Sequence, residues 1–337
     1  VKICIVGAGA IGGLIGTRLA AAGESEVSAL ARGATLQALS AEGWRLRQGG
    51  RLIRGPVRAA AADAAELGLQ DLVIIAVKAP AMAAVARSIG PLLGPATMVL
   101  PAMNGVPWWF GDGLGDLGAA PLDSVDPGGA IAGAIALSHV VGCVVHASAA
   151  TAEPGVVLHK MGNGLIIGEP GGESSARLGA LRDLLARAGF ALTLSAQIRR
   201  DIWYKLWGNL TINPVSAITG ATADRILDDP LVRGFCSAVM TEAAAIGARI
   251  GCAVDQSPEA RHKITRELGA FKSSMLQDAE RGRPIELDAI VAAVREIGER
   301  VGIATPCTDA LLGLARLHGR VHGLYPESSQ SNVVNPR

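Results

Sequence analysis

The sequence predicts an α/β fold: an N-terminal Rossmann-type, doubly wound parallel sheet followed by an all-α C-terminal domain. Three observations carry this. Short continuous Val/Ile/Leu runs alternate with helical stretches in the first part of the chain; a glycine-rich turn, GAGAIG, closes the first run; and from Gln197 onward the apolar pattern is helical throughout. Continuous apolar strands need cover on both faces, which intervening helices supply.

In order, the elements are the strand KICIVG, a helix from about Ile11 to Ala22, the strands VSALA and DLVIIAV, a helix near Ala81 to Ile89, and the strand ATMVLPAM. Residues 111 to 128 are rich in Gly, Pro and Asp and read as an excursion loop. Strand character resumes in VVGCVVHASA and GLIIGE, and the sheet is expected to continue to FALTLS at 190 to 195. Helices are then expected over IRRDIWYKLWGNLTI, over DPLVRGFCSAVMTEAAAIGARIG, and at 258 to 279, 285 to 301 and 307 to 318. The expected domains are 1–195, binding a dinucleotide, and 196–325, helical and holding the substrate. A disordered polar tail at 326–337 follows.

Half of the 337 residues are hydrophobic and 18% are charged, with a net charge of +1. That balance leaves no electrostatic footprint for nucleic acid or an anionic membrane and favours a small-molecule partner. The five cysteines (Cys4, Cys143, Cys236, Cys252, Cys307) lie far apart without a CxxC, and the six histidines include no HExxH, so neither a disulfide scaffold nor a metal is expected. The most membrane-like run, 130 to 150, is interrupted by His139 and His146 and reads as buried strand. No signal peptide pattern opens the chain, so a cytoplasmic location is expected.

In GAGAIG, Gly7 permits a tight turn, Gly9 lets a pyrophosphate approach the backbone, and Gly12 lets helix and strand pack closely. Ala10 and Ile11 open the helix whose N-terminus supplies donors and positive partial charge, so Gly7, Gly9, Ala10, Ile11 and Gly12 are the candidate cofactor cradle. About 20 residues on, an NAD site would place a carboxylate. Glu24 and Glu26 come too early and the strand end carries Arg32, which suits a 2′-phosphate and so NADPH, although a solvated surface charge is the competing reading. Lys78 and Asn104 follow the next two strands, where doubly wound folds hold ligands. In WYKLWGNLTINP, Lys205, Asn209 and Asn213 recur every four residues and form one drifting polar stripe on a helix. Ser274 and Glu286, either side of an Arg-Gly-Arg-Pro turn, are candidates to meet it.

Together GAGAIG, Arg32-Gly33, AVKA, MNG, K-x-x-x-N-x-x-x-N and SSMLQD followed by E-x-D resemble the ketopantoate reductase (2-dehydropantoate 2-reductase) family over nearly the whole chain. The resemblance implies a Rossmann domain, a helical domain and a site in the cleft between them. It implies reduction of the C2 carbonyl of ketopantoate by NADPH to give pantoate for pantothenate biosynthesis. Lys205 would be the general acid and Glu286 would orient it. Asn104, Asn209, Asn213 and Ser274 would hold substrate, while the loop glycines, Arg32, Lys78 and Asn104 would hold NADPH. A homodimer is a family-level expectation.

The chain departs from the family pattern at Ile285, often threonine there, and at Val291 and Ala292, where members commonly carry Asn-Gly. It also inserts Trp108, Trp109 and Phe110 beside the expected mouth of the site. Such losses of hydrogen-bonding groups can change substrate discrimination. The WWF residues are alternatively read as packing beneath their long loop. Competing functions are an opine-type or imino-acid reductase, by fold analogy, and a non-catalytic NADPH sensor.

Overall fold

The computed structural model describes residues 1–327; the expected disordered tail lies, apart from Pro326 and Glu327, outside the described residues. Helices and strands follow in the order β1 (Lys2–Val6), α1 (Ala10–Ala22), β2 (Glu26–Leu30), α2 (Gly33–Glu42), β3 (Trp44–Gln48), β4 (Arg51–Gly55), β5 (Ala60–Ala61), β6 (Gln70–Ile75), α3 (Met82–Ser88), β7 (Leu93–Pro101), α4 (Ala130–Ala134), β8 (Gly142–Glu153), β9 (Val156–Gly168), α5 (Ala176–Arg187) and β10 (Ala191–Leu194). Beyond these, the described residues form only helices: α6 (Ile198–Thr219), α7 (Ala223–Asp228), α8 (Pro230–Arg249), α9 (Pro258–Arg266), α10 (Ser274–Glu280), α11 (Ala293–Arg300) and α12 (Pro306–Val321). By internal packing the chain divides into two compact units, Val1–Leu206 with Gly247–Ala253, and Trp207–Ile246 with the residues from Val254 on. The division falls inside α6, whereas the change of sequence character at 195/196 lies just ahead of that helix.

In the first unit, a parallel sheet runs β5-β2-β1-β6-β7. β1 lies centrally, with Ile3 registered against Val27 on one side and Leu72 on the other. Ile3, Ile5, Ala29, Leu72 and Ile74 on one face and Cys4, Val73 and Ile75 on the other are fully buried, as strands covered on both faces require.

The strands after residue 140 do not prolong this sheet, contrary to expectation. β8 and β9 form an antiparallel hairpin, and β9 recruits β3 near its start and β10 near its end, in a second sheet ordered β10-β9-β3-β4 with β8 on β9. Just ahead of the hairpin, Val140 makes an isolated parallel bridge with Val99 of β7. The β3–β4 hairpin was not anticipated. Its Gly49-Gly50 turn, with φ of 55° and 76°, has the positive φ at both central positions that a tight two-residue turn needs.

Trp108, Trp109 and Phe110 are buried, so the packing reading of the WWF loop is the one the structure supports. Arg199 pins this loop: its guanidinium lies 5.4 Å from the Trp109 ring centroid, its Nε donates to the Phe110 carbonyl at 2.9 Å, and it also donates to the carbonyls of Asp112 and Pro170. Phe110 stacks on Trp203 with centroids 5.9 Å apart.

In the second unit, the single helix expected at 258–279 is two, α9 and α10. Gly269 adopts a left-handed φ of 64°, and the Ser273 hydroxyl then caps a new helix by accepting from Leu276 N–H. α8 is long and apolar enough to cross a membrane by length and composition, but Cys236, Val239, Met240, Ala243 and Ile246 bury one side of it. The run at 130–150 flagged by the sequence is α4, a turn and most of β8.

Candidate active site

β1 stops at Val6 and α1 starts at Ala10, so three residues make the turn between them. Gly7 takes a φ of 89°. A Cβ on Gly12 would lie 2.1 Å from the Gly7 carbonyl oxygen, so only glycine lets α1 sit this close to β1. Gly9 is exposed, has nothing within 4 Å of where its Cβ would be, and is an N-cap without a side-chain bond. Ala10 and Ile11 behind it are partly exposed. A bare helix start with open space before it fits the pyrophosphate of a dinucleotide.

β1 lies between β2 and β6, so the loops after these strands leave the sheet where its strand order reverses. Arg32, two residues beyond β2, is the exposed N-cap of α2 and makes no side-chain cap bond. Lys78 is also exposed, three residues beyond β6. Cationic side chains thus follow the strands on both sides of the glycine turn.

Asn104 lies three residues beyond β7 and is in direct contact with Lys205. The Lys205 Nζ donates to Asn104 Oδ1 at 2.8 Å and to the Val145 carbonyl at 2.7 Å. Val145 is on β8, just before a register irregularity between His146 and Ser148. An ammonium has three donors and no acceptor, so two of its donors are directed by these oxygens. Burial pushes the nearby Cys143 thiol up to about 12, against the pull of the Lys205 charge, which leaves it a neutral neighbour. The aromatic residues flanking Lys205 are mostly core. Trp203 and Trp207 are buried, and Trp207 Nε1 donates to the Met240 carbonyl at 2.7 Å; only Tyr204 is partly exposed.

In the second unit, Asn209 is partly exposed and Asn213 is buried. The Asn213 Nδ2 has no hydrogen-bond partner among the described residues. Buried donors are rarely left so, and a ligand is one of the few explanations for an orphan. Pro214 sits inside α6 and lacks the N–H that would bond the Leu210 carbonyl. One turn on, hydroxyls link two helices: Ser216 donates to the Asn213 carbonyl at 2.9 Å, and the Ser216 and Ser273 oxygens are 2.6 Å apart. Of the serine pair, Ser273 is the buried cap, and Ser274 stands partly exposed at the first helical position.

Glu286 is buried rather than a surface carboxylate, and is the last residue before the helical stretch that opens at Leu287. Residues Asp288–Ala292 form a π-helical turn leading into α11. Ile285 and Val291, two of the departures from the family pattern, are also buried; Ala292 is partly exposed. The sequence reading missed the Val145 carbonyl, because a main-chain acceptor leaves no residue signature. It also missed the Ser216–Ser273 link, for which the only signal was a serine one turn beyond the Lys-Asn-Asn stripe.

The profile "Ketopantoate reductase PanE/ApbA" matches residues 3–115, and "Ketopantoate reductase PanE/ApbA C terminal" matches residues 197–319. The chain is 44% identical over 325 residues to the 2-dehydropantoate 2-reductase of Mesorhizobium japonicum, covering 96% of this chain and 99% of that one. A crystal structure from Ralstonia solanacearum MolK2, provisionally named a ketopantoate reductase, superposes with a TM-score of 0.92 at 59% identity, covering 96% and 99% of the two chains. A PanE/ApbA family ketopantoate reductase from Ralstonia eutropha JMP134 gives a TM-score of 0.82 at 27% identity, covering 96% and 100%. A two-unit fold, a glycine cradle and a lysine directed by an asparagine thus coincide with matches along nearly the full length, and the chain belongs to the ketopantoate reductase family of NAD(P)-dependent oxidoreductases acting on CH–OH groups.

Proposed function

We propose that the protein reduces ketopantoate, a 2-oxo acid, to pantoate with NADPH. The observation that carries this reading is the Lys205 ammonium held between Asn104 Oδ1 and the Val145 carbonyl, beyond the end of β7. When bound, the nicotinamide supplies the hydride that reduces the C2 carbonyl carbon. Lys205 gives a proton to the carbonyl oxygen, so the charge developing there is first stabilised and then neutralised, and the amine regains its proton from solvent. Because its Oδ1 faces Lys205, Asn104 is left with its Nδ2 to offer a ligand. The orphaned Asn213 Nδ2 is suited to a substrate oxygen, with Asn209 and Ser274 as further donors. Glu286 is assigned to the substrate hydroxyl and to orienting the lysine.

Arg32 supports NADPH over NADH, since an exposed guanidinium beyond β2 suits a 2′-phosphate. Ketopantoate is preferred over a bulkier oxo acid because most of the departures that suggested one, Ile285, Val291 and the WWF residues, are packed inside their units. The reading extends to pantothenate biosynthesis in the cytoplasm and to a homodimer. Leu314, Leu317 and Val321 are 60%, 60% and 72% exposed at i, i+3 and i+7 on α12, an apolar stripe suited to a second copy.

The test is nicotinamide absorbance against ketopantoate and a panel of 2-oxo and imino acids, with wild type and Lys205→Ala. The variant should lose turnover by roughly 10²- to 10⁴-fold while still binding NADPH. Full turnover by the variant would refute the general-acid role, and wild type inactive on every acid would favour a sensor.

A further inference from the structure

We propose that Tyr325 is a positioning residue for Glu286, acting through Asp288, so that the segment after α12 forms part of the catalytic apparatus; this rests on the role proposed for Glu286. The chain on either side of Glu286 is held by consecutive residues of that segment. One residue before it, the Ile285 N–H donates to the Leu324 carbonyl at 3.0 Å. Two residues after it, the Asp288 carboxylate accepts from the Tyr325 hydroxyl at 2.6 Å.

The gripping segment is itself firmly seated. Leu324 and Tyr325 N–H groups both donate to the Gly319 carbonyl, at 2.7 and 3.1 Å, and Leu324 is buried. Gly319 is glycine for this purpose: a Cβ there would fall 2.7 Å from Tyr325 Cβ and 3.3 Å from Ile285 Cδ1. The Arg320 guanidinium lies 5.9 Å from the Tyr325 ring centroid, and its Nε donates to the Pro326 carbonyl at 3.2 Å.

Asp288 is the hinge of this arrangement. It opens the π turn, its main-chain carbonyl accepting from the Ala293 N–H, and the same residue holds Tyr325 with its side chain. π turns are uncommon and concentrate at functional sites, because the extra residue they accommodate re-aims what precedes them. Burial raises the Asp288 carboxyl from its ordinary range, while the phenol hydrogen bond and Arg316 act the other way. The tyrosine thus ties the Asp288 side chain, and with it the start of the turn, to the segment after α12, and the turn fixes the direction of Glu286.

The experiment compares Tyr325→Phe, which keeps the ring and removes only the hydroxyl, with Asp288→Asn, the double variant and Glu286→Gln. Small misplacements of a catalytic group carry large rate penalties, so Tyr325→Phe should lower kcat roughly tenfold, with the NADPH dissociation constant unchanged and the fold intact by thermal melting. Asp288→Asn should do the same, and the double variant should be no worse than either single one. Wild-type kcat in Tyr325→Phe, whatever its melting temperature, overturns the proposal, as does loss of kcat and NADPH binding together. If Glu286→Gln loses turnover and Tyr325→Phe does not, only the positioning role falls. If Glu286→Gln keeps wild-type turnover, the role of Glu286 falls, and this inference with it.

Discussion

Alanine at Gly9 and at Gly12 should separate cofactor binding from folding within one turn of chain. A methyl at Gly12 would sit 2.1 Å from the Gly7 carbonyl oxygen, 3.0 Å from Ile5 Cγ2 and 3.1 Å from Ala76 Cβ. Ordinary carbon contacts are about 3.5–4.0 Å, so α1 would have to retreat from β1 by roughly 1 Å. Overpacking of this kind costs about 1–3 kcal/mol, which at about 2–4 °C per kcal/mol lowers Tm by roughly 2–12 °C. The same retreat withdraws the helix N-terminus from its ligand, so binding should weaken too. Gly9 differs: its φ of −78° and ψ of −150° are open to alanine, and its Cβ would meet nothing within 4 Å. Tm should hold in Gly9→Ala. The methyl would nevertheless stand where the pyrophosphate must approach, and losing one charge-assisted hydrogen bond, about 1.5–3 kcal/mol, raises the NADPH dissociation constant by roughly 10- to 100-fold. Calorimetric titration with NADPH and thermal melting of both variants make the assay. Wild-type affinity in Gly9→Ala would mean that the pyrophosphate lies elsewhere, and the reading of the cradle would be wrong.

Arg32→Ala should raise the Michaelis constant for NADPH by roughly tenfold or more and that for NADH little; equal effects on both cofactors would remove the 2′-phosphate assignment. His262 is buried, with its Nε2 3.0 Å from the Ser237 hydroxyl, and desolvation together with Arg233 lowers its pKa below 6.5 despite Glu259. A depressed histidine pKa means that the unfolded chain takes up the proton first. Stability present above about pH 6.5 should therefore fall as the pH drops through the folded-state value, and His262→Gln should flatten the dependence of Tm on pH between neutral and mildly acidic buffers. Leu317→Glu should shift sedimentation toward monomer if α12 pairs with itself, and an unchanged sedimentation coefficient would exclude that face.

What could be read from the sequence was whatever only one residue type can do. At Gly7 and Gly12 a positive φ and a close approach admit glycine alone, so the turn announced itself; the four-residue spacing of Lys205, Asn209 and Asn213 likewise follows from helix period. The second sheet was not legible because β9 pairs with β3, more than a hundred residues earlier, and no local pattern encodes such a partner. In the serine pair 273–274, which hydroxyl caps depends on where α10 begins, a matter settled by the turn at Gly269 and the link to Ser216. The WWF run was ambiguous for a related reason: an aromatic cluster looks the same in sequence whether it lines a cavity or fills a core, and the burial of all three side chains decides for the core.

The double use of one edge of β9 also sets an order of assembly. Arg47 on β3 pairs with Leu158 on β9, so β3 must wait for 111 further residues before its partner exists. At translation rates of about 5–20 residues per second, that is a delay of roughly 6–20 s. The parallel sheet needs only the chain up to Pro101 and can form while the ribosome is still at work. Through this interval the β3–β4 hairpin would present an open edge, a hazard for pairing with another nascent chain. Trp44 supplies a mooring: its ring lies against Gly16 of α1, and its Nε1 donates to the Val27 carbonyl at 3.3 Å, both within the early-made part. A residue that looks like ordinary core in the finished protein thus holds a strand in reserve during synthesis.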